Sequence, residues 1–182
     1  MARYGKIDKI NTSVGPGVRV CLFIQGCRNG CVGCFNKETW DFNGGTEFSE
    51  NTVTEIMSLL DHSYISGLTL CGGEPMEEEN QRDLVNFVDR VRTKYPEKNI
   101  WCYTGYEFED LVAGGRKHCE VTDRLLSMID VLVVGRFILE QRDITDKNRW
   151  RGSLNQRVLD LKQSLSRGKP VALKDIPNNE IK

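Results

Sequence analysis

Three cysteines, Cys27, Cys31 and Cys34, lie within eight positions of the chain, directly after the apolar run from Val18 to Ile24. A structural zinc site takes four protein ligands, so this set is one ligand short. The number is also odd, so pairing into disulfides would leave one thiol over. The spacing therefore favours a metal group that three thiolates can hold while one coordination position on the metal stays free. The fold has to bring the three sulfurs to one place.

The composition fits one globular domain without a basic surface. The chain has 182 residues, 39% of them hydrophobic, which is enough to bury a sizeable core. Its 25 Lys and Arg residues are balanced by 26 Asp and Glu residues, which leaves no electrostatic footprint for nucleic acid. There is no apolar run of membrane-spanning length, and residues 1–6 lack the apolar core of a signal peptide. We therefore expect a single cytoplasmic domain over residues 1–182, with no nucleic-acid or membrane partner.

Apolar runs and helical periodicities alternate between residues 18 and 134. Four strands are predicted, at 18–24, 67–71, 100–103 and 131–134. Helical segments are predicted between and beside them, at 51–60, 84–91, 108–112 and 122–129. This alternation is typical of an α/β fold with a mostly parallel sheet and right-handed crossovers. From residue 137 to 182 the chain is a polar tail whose local structure the pattern does not predict.

Each unusual loop directly follows a predicted strand. The cysteine loop follows the first strand, and Gly72-Gly73-Glu74-Pro75 follows the second. Thr104-Gly105 follows the third strand and Gly135-Arg136 the fourth. Because the carboxyl ends of parallel strands share one edge of the sheet, we expect these four loops to meet at one site.

Three kinds of chemistry are open to the cysteine loop. A zinc site would need a distant fourth ligand from Cys21, Cys119 or His118. A thioredoxin-like pair of Cys31 and Cys34 would leave Cys27 without a role. A [4Fe–4S] cluster held by three thiolates uses all three and leaves one iron open, and the neighbouring glycines allow the tight backbone it needs. The spacing favours the cluster.

The chain resembles the radical S-adenosylmethionine (SAM) superfamily through its Cys-x-x-x-Cys-x-x-Cys spacing combined with Gly-Gly-Glu-Pro after the next strand. Within that superfamily it is similar to the activating proteins of anaerobic ribonucleoside-triphosphate reductases, over about residues 10 to 160. The stretches that carry this likeness are Gly15-Pro16-Gly17-Val18-Arg19, Gln25-Gly26-Cys27, Cys34-Phe35-Asn36-Lys37-Glu38-Thr39-Trp40, Leu68-Thr69-Leu70-Cys71-Gly72-Gly73-Glu74-Pro75, Trp101-Cys102-Tyr103-Thr104-Gly105-Tyr106 and Trp150-Arg151-Gly152-Ser153-Leu154-Asn155-Gln156.

The resemblance implies a fold, an activity and a set of partners. The fold would be a partial (β/α) barrel of radical SAM type. The activity would be reductive cleavage of SAM at the cluster, giving a 5′-deoxyadenosyl radical that takes hydrogen from a glycine of the reductase and leaves a glycyl radical. An electron donor such as reduced flavodoxin or ferredoxin is implied, and a homodimer is possible on this likeness. Two alternatives stay open: a small-molecule radical SAM enzyme of the deazaguanine-synthase type, and a non-catalytic zinc-binding module.

The resemblance also assigns residues. Cys27, Cys31 and Cys34 would hold the cluster. The residues that would contact SAM are Gly33, Cys34, Phe35, Gly72, Gly73, Glu74 and Thr104. The sequence departs from the family at Val134, where an acidic residue is usual, and no counterpart is matched after Lys169. Arg136 is a candidate for the SAM carboxylate, with a merely solvated side chain as the alternative.

Residues outside these motifs have simpler expected roles. Cys21, Cys71 and Cys102 lie in apolar strands, where cysteine acts as a small hydrophobic residue. Trp and Arg are favoured at interface hot spots, so residues 150 and 151 of the polar tail, together with Trp40, are candidates for docking of the partner. Packing of the tryptophans in the core is an equal alternative.

The ligand assignment predicts two classes of cysteine variant. Alanine at any one of positions 27, 31 or 34 should abolish bound iron and SAM cleavage, because each thiolate holds a different iron. Cys71→Ala or Cys102→Ala should keep both and lose only about 1 kcal/mol of unfolding free energy through lost packing. Iron analysis and urea denaturation of anaerobically purified variants measure the two effects. Loss of iron in a folded Cys71→Ala variant would contradict the assignment.

Overall fold

A computed structural model describes residues 2–144 and 150–174 of the chain. These residues build a seven-stranded sheet in the order β3-β1-β2-β4-β5-β6-β7. The strands are β1 Arg3–Asn11, β2 Val18–Ile24, β3 Thr46–Glu47, β4 Ile65–Gly72, β5 Asn99–Tyr103, β6 Val131–Val134 and β7 Arg157–Asp160. The α-helices are α1 Glu50–Leu60, α2 Glu78–Lys94, α3 Phe108–Leu111, α4 Thr122–Met128 and α5 Leu161–Arg167, with 3₁₀ turns at Lys37–Thr39 and Leu139–Gln141.

The four strands predicted from the sequence are confirmed as β2, β4, β5 and β6, and they lie side by side in parallel. The prediction of a mostly parallel sheet is wrong at both edges, because β1, β3 and β7 pair antiparallel. These edge strands are polar and half exposed, so they carry no continuous apolar run for a sequence pattern to detect. The α/β class is confirmed, whereas a closed or partial barrel is not: β3 and β7 are the two edges, and no pairing joins them in the described residues.

The two faces of the central strands are covered differently. On one face Val20, Leu22 and Ile24 pack into the main core with residues of α1 and α2. On the other face Cys21 and Phe23 form a separate, smaller cluster with Cys71 of β4, against which Tyr103 of β5 and Val14 pack. Because both faces are buried, these strands read as continuous apolar runs in the sequence.

The last 25 described residues have more structure than the sequence pattern indicated. Val158 and Leu159 belong to β7, whereas Leu161 and Leu165 belong to α5, which explains why the four fit no single periodicity. Asp160 caps α5 by accepting a hydrogen bond from the Gln163 backbone, 2.9 Å away. Residues 145–149 and 175–182 of the polar tail lie outside the described part of the chain.

Helix α1 begins at Glu50, one residue before the predicted segment 51–60. Ser49 is its N-cap and forms a reciprocal capping box with Thr52. Among the residues described, none of the helices has the length and apolar character needed to cross a bilayer.

Asp130 joins several elements at the amino-terminal end of β6. Its carboxylate accepts hydrogen bonds from Arg92 of α2 at 2.6 Å and from the Ile100 backbone of β5 at 2.8 Å, and it pairs with Lys162 of α5 at 3.0 Å. Burial by itself raises the pKa of this carboxyl, but these donors outweigh it and hold the pKa below the ordinary value. One short side chain therefore links the sheet to two helices.

We expect Asp130→Asn to lower the free energy of unfolding by about 2 kcal/mol at pH 7, because charged hydrogen bonds are lost in a partly buried position. A carboxyl with a lower pKa when folded stabilises fully above its unfolded pKa and loses that contribution as the pH falls. The difference between variant and wild type should therefore shrink as the pH drops below the ordinary Asp value of 3.8. Urea denaturation across pH measures this, with the exposed Asp89→Asn as control. A difference that is constant with pH would contradict the role.

Candidate functional site

A pocket of about 510 Å³ lies at the carboxyl ends of the parallel strands. The prediction that the strand-end loops meet at one place is confirmed for all four loops. The residues from these loops that line the pocket are Cys27, Asn29, Cys31, Cys34, Phe35, Gly72, Gly73, Glu74, Thr104, Gly105 and Gly135. Arg136 is not among them: its side chain is exposed and donates a hydrogen bond to the Asn29 carbonyl in the cysteine loop.

Backbone hydrogen bonds join the first part of the cysteine loop to residues 39 and 40. The Gly26 N–H donates to the Thr39 carbonyl at 2.8 Å, and the Cys27 N–H donates to the Trp40 carbonyl at 3.1 Å. Gly26 has a φ of 96°, and any side chain there would overlap the Phe42 ring. Further along, the Cys34 N–H donates to the Cys31 carbonyl at 3.2 Å, so the last two cysteines sit on one turn.

All three cysteines of the loop are free thiols that line the pocket. Burial raises the pKa of Cys27 to about 11, which favours the neutral thiol. Thiolates are the usual ligands of iron–sulfur clusters, and in a cube each one binds a different iron. Three cysteines that line one pocket offer the type of ligand that an iron–sulfur cluster takes.

The distant ligands of the zinc alternative lie elsewhere. Cys21 has its Sγ 3.0 Å from the Cys71 Sγ, and His118 Nε2 lies 3.0 Å from an Asp123 oxygen. Cys119 contacts Gln81. Within residues 2–144 and 150–174, no three His, Cys, Asp or Glu side chains are grouped so that they could hold a metal ion. Cys21, Cys119 and His118 do not line the pocket that Cys27, Cys31 and Cys34 line, and this separation is what speaks against the zinc alternative.

The Gly-Gly-Glu-Pro turn lies directly against the end of β2. Gly73 donates its N–H to the Ile24 carbonyl at 2.7 Å, and Glu74 donates its N–H to the Gly26 carbonyl at 2.8 Å. A Cβ atom at Gly73 would stand 2.6 Å from the Gly26 oxygen and 2.8 Å from those of Ile24 and Thr39. Only glycine allows the turn to approach the cysteine loop this closely.

Glu74 is buried and joins three of the strand-end loops. Its Oε2 accepts hydrogen bonds from Asn29 Nδ2 at 2.8 Å and from the Gly105 N–H at 2.7 Å, and its Oε1 accepts from the Met76 N–H at 3.0 Å. Burial raises the pKa of this carboxyl to about 7, although the hydrogen bonds act in the opposite direction. Asn29 is a site residue that the sequence reasoning missed.

The other residues assigned to SAM lie around the same opening. Phe35 is more than half exposed, and its ring centroid is 4.9 Å from that of Phe137. Gly33 does not line the pocket and packs against Leu139 instead. Thr104 is buried, and its hydroxyl accepts a hydrogen bond from the Tyr106 N–H at 3.1 Å.

The far wall of the pocket comes from the tail, and sequence reasoning missed most of it. Its residues are Phe137, Arg142, Asp143, Arg151, Gly152 and Gln156. Arg151 pairs with Asp143 at 3.0 Å, and both side chains are largely buried. Trp150 packs edge-to-face on Trp101, with 5.6 Å between ring centroids, which favours the core-packing alternative for this tryptophan. Trp40 lines the pocket.

The cysteines of the strands are buried, as predicted. Cys21 and Cys102 are fully enclosed, and burial raises the pKa of the Cys102 thiol well above its usual value. Cys71 is also buried but reaches the pocket wall.

Comparison with known proteins agrees with this site. Residues 13–159 match a family model described as a 4Fe-4S single cluster domain. The chain is 41% identical to the anaerobic ribonucleoside-triphosphate reductase-activating protein of Enterobacteria phage T4, over 85% of this chain and 92% of that protein. Proteins of the same name from Vibrio cholerae and Escherichia coli K12 are 39% and 38% identical, over 86% of this chain and 94% and 95% of theirs. The chain belongs to this family of activating proteins. The matched region contains every loop that lines the pocket and the far wall up to residue 156.

Gly73→Ala should disrupt the site more than a glycine replacement elsewhere. The new methyl group would meet three carbonyl oxygens that the turn cannot avoid, so we expect a loss of about 3 kcal/mol of unfolding free energy and of most bound iron. Gly168→Ala, where the backbone is left-handed but no neighbour lies within 4 Å, should cost about 1 kcal/mol and leave the iron in place. Denaturation and iron analysis compare them. Equal effects would mean that close packing at Gly73 is unimportant.

Proposed function

We propose that this chain is a radical SAM enzyme that activates an anaerobic ribonucleoside-triphosphate reductase. The observation that carries the proposal is that Cys27, Cys31 and Cys34 line the same pocket as the Gly72-Gly73-Glu74 turn. Membership of the activating-protein family supports the partner, since the relatives are named for that reductase. The same membership counts against the zinc-binding module and the small-molecule enzyme.

In this proposal Cys27, Cys31 and Cys34 hold a [4Fe–4S] cluster whose fourth iron is left open to SAM. When bound and reduced by the electron donor, such a cluster would supply the electron for reductive cleavage of SAM to methionine, and the hydrogen atom taken by the deoxyadenosyl group would come from a glycine of the reductase. The protein's part is to bind, orient and exclude water. Apolar side chains that line the pocket, Phe23 and Val14 among them, would help to exclude water from the site.

The residues proposed for SAM divide between its two ends. Gly72, Gly73 and Glu74 would take the methionyl end. Oε2 of Glu74 already accepts two hydrogen bonds, whereas Oε1 accepts that of the Met76 N–H, so an ammonium group would bind at Oε1. Cys34 and Phe35 would take the adenine end, where the exposed Phe35 ring offers an aromatic face, and Gly33 would support them from beside the pocket. Thr104 would complete the site between them.

The partner would reach the pocket across the wall formed by the tail. Arg151 and Asp143 reach the pocket surface there, whereas Trp150 is turned towards the sheet. We therefore propose Arg151, rather than Trp150, as the docking residue of the pair named from sequence. A reduced flavodoxin or ferredoxin is proposed as the electron donor.

The decisive experiment uses the anaerobically purified chain with about four irons and four sulfides. We expect that reduction in the presence of SAM gives methionine and 5′-deoxyadenosine, and that added reductase acquires a glycyl radical signal in electron paramagnetic resonance. Arg151→Ala should lower the yield of glycyl radical while iron content and SAM binding persist. Trp150→Ala is the matched control for lost folding stability.

Three results would count against the proposal. Colourless protein with stoichiometric zinc would remove the cluster. Cleavage of SAM without any radical on the reductase would remove the partner. Loss of SAM binding in Arg151→Ala would move that residue from the docking surface to the cofactor site.

A further inference from the structure

Glu77 is a second buried carboxylate, placed three residues after Glu74 and immediately before α2. Its side chain has no exposed surface, and four donors surround it. They are the Arg28 N–H at 3.0 Å, Arg28 Nη1 at 3.0 Å, the Tyr106 hydroxyl at 2.8 Å and Lys117 Nζ at 2.8 Å. Burial by itself raises the pKa of this carboxyl, but these donors outweigh it and hold the pKa below its usual range. Glu77 is therefore a paired, fully hydrogen-bonded anion.

Two of those four donors belong to the residue that follows Cys27. Arg28 uses both its backbone N–H and its guanidinium on Glu77, which fixes the main chain and the side chain together. The guanidinium carbon also lies 4.1 Å from the centre of the Phe42 ring, the same ring that packs against Gly26. The backbone on both sides of Cys27 is thus held from outside the loop.

Asn29 continues this arrangement through its bond to Glu74. Residues 26–29 are consequently tied to the turn between β4 and α2 by two carboxylates. The part of the loop with Cys31 and Cys34 has no comparable bond to a buried charge among the described residues; it closes on itself through the turn that joins those two cysteines. The contacts are concentrated on the first cysteine.

We propose that Glu77, acting through Arg28, is a positioning residue that sets the place of the Cys27 sulfur for the cluster. The inference rests on the proposed function, because it takes Cys27 to be a cluster ligand. Glu77 does not touch the pocket and is not a ligand itself. Groups that hydrogen-bond to the residues around a metal ligand orient that ligand, and their loss commonly weakens metal binding by about tenfold or more.

Glu79 provides a matched control. Its carboxylate pairs with the same guanidinium at 2.7 Å, but half of its side chain is exposed, and it makes no bond to the Arg28 N–H. Exposed ion pairs contribute little. Lys117→Met is the second control, because it removes a partner of Glu77 that belongs to another segment of the chain and leaves both bonds from Arg28 to Glu77 in place.

The test compares Glu77→Gln, Glu79→Gln and Lys117→Met in two states of the protein. In the chain without cluster, hydrogen exchange at residues 27–30 should be about tenfold faster in Glu77→Gln, since a charged hydrogen bond is weakened. In the chain with cluster, a chelator should remove iron about tenfold faster from Glu77→Gln, and the signal of the reduced cluster should change shape. Both controls should match wild type in these measurements, even where Lys117→Met melts at a lower temperature.

The outcomes are separable. If Glu77→Gln fails to fold, Arg28→Met takes its place, because Arg28 is half exposed and its replacement leaves Glu77 its two other partners. Equal exchange and equal iron loss in Glu77→Gln and Glu79→Gln would overturn the inference. The same faster exchange in Lys117→Met would also overturn it, by showing general loosening. If wild type binds no cluster at all, the proposed function fails, whereas the exchange measurement still decides whether Glu77 holds Cys27.

Discussion

Two buried carboxylates at one turn organise the site. Glu74 and Glu77 both lie between β4 and α2, and each binds donors from at least two other loops. A buried carboxylate deprived of its partners costs several kcal/mol, so the donors and the carboxylates stabilise each other's positions. The loops after β2, β4 and β5 are therefore fixed relative to one another by charge and hydrogen bonds at the carboxyl ends of the parallel strands.

The central fold could be predicted from sequence because its signal is strong. The strands β2, β4, β5 and β6 are apolar on both faces and end at glycine-containing loops, so their positions, to within two residues, and their parallel pairing were predicted correctly. The antiparallel edges were missed. In β1 charged and half-buried residues follow one another without strict alternation, and β7 turns into α5 after four residues. Such short or polar edge strands are defined by their neighbours rather than by their own pattern.

The site could be predicted in part for a similar reason. A position that only one residue type can occupy forms part of a recognisable motif. Gly73 is such a position, because a Cβ atom has no room there. The supporting residues are not of this kind. Asn29, Arg28 and Glu77 are ordinary polar residues in sequence, and their role depends on contacts between segments more than forty positions apart. The far wall of the pocket could not be predicted from the sequence either. The ion pair of Asp143 and Arg151 forms only because the fold brings the two side chains together, and nothing in the sequence around either residue indicates it.

The long sequence separation of these contacts has a consequence for how the protein is made. The cysteine loop is complete as a peptide once residue 34 has left the ribosome, but its anchors at Glu74, Glu77 and Lys117 are synthesised later. At a synthesis rate of about 5–20 residues per second, the nascent loop spends several seconds without them. During that interval the two carboxylates cannot hold the main chain at Arg28 or the side chain of Asn29. The native placement of residues 26–29 can therefore form only after the β4–α2 turn has been synthesised, so the geometry around Cys27 is a late feature of folding.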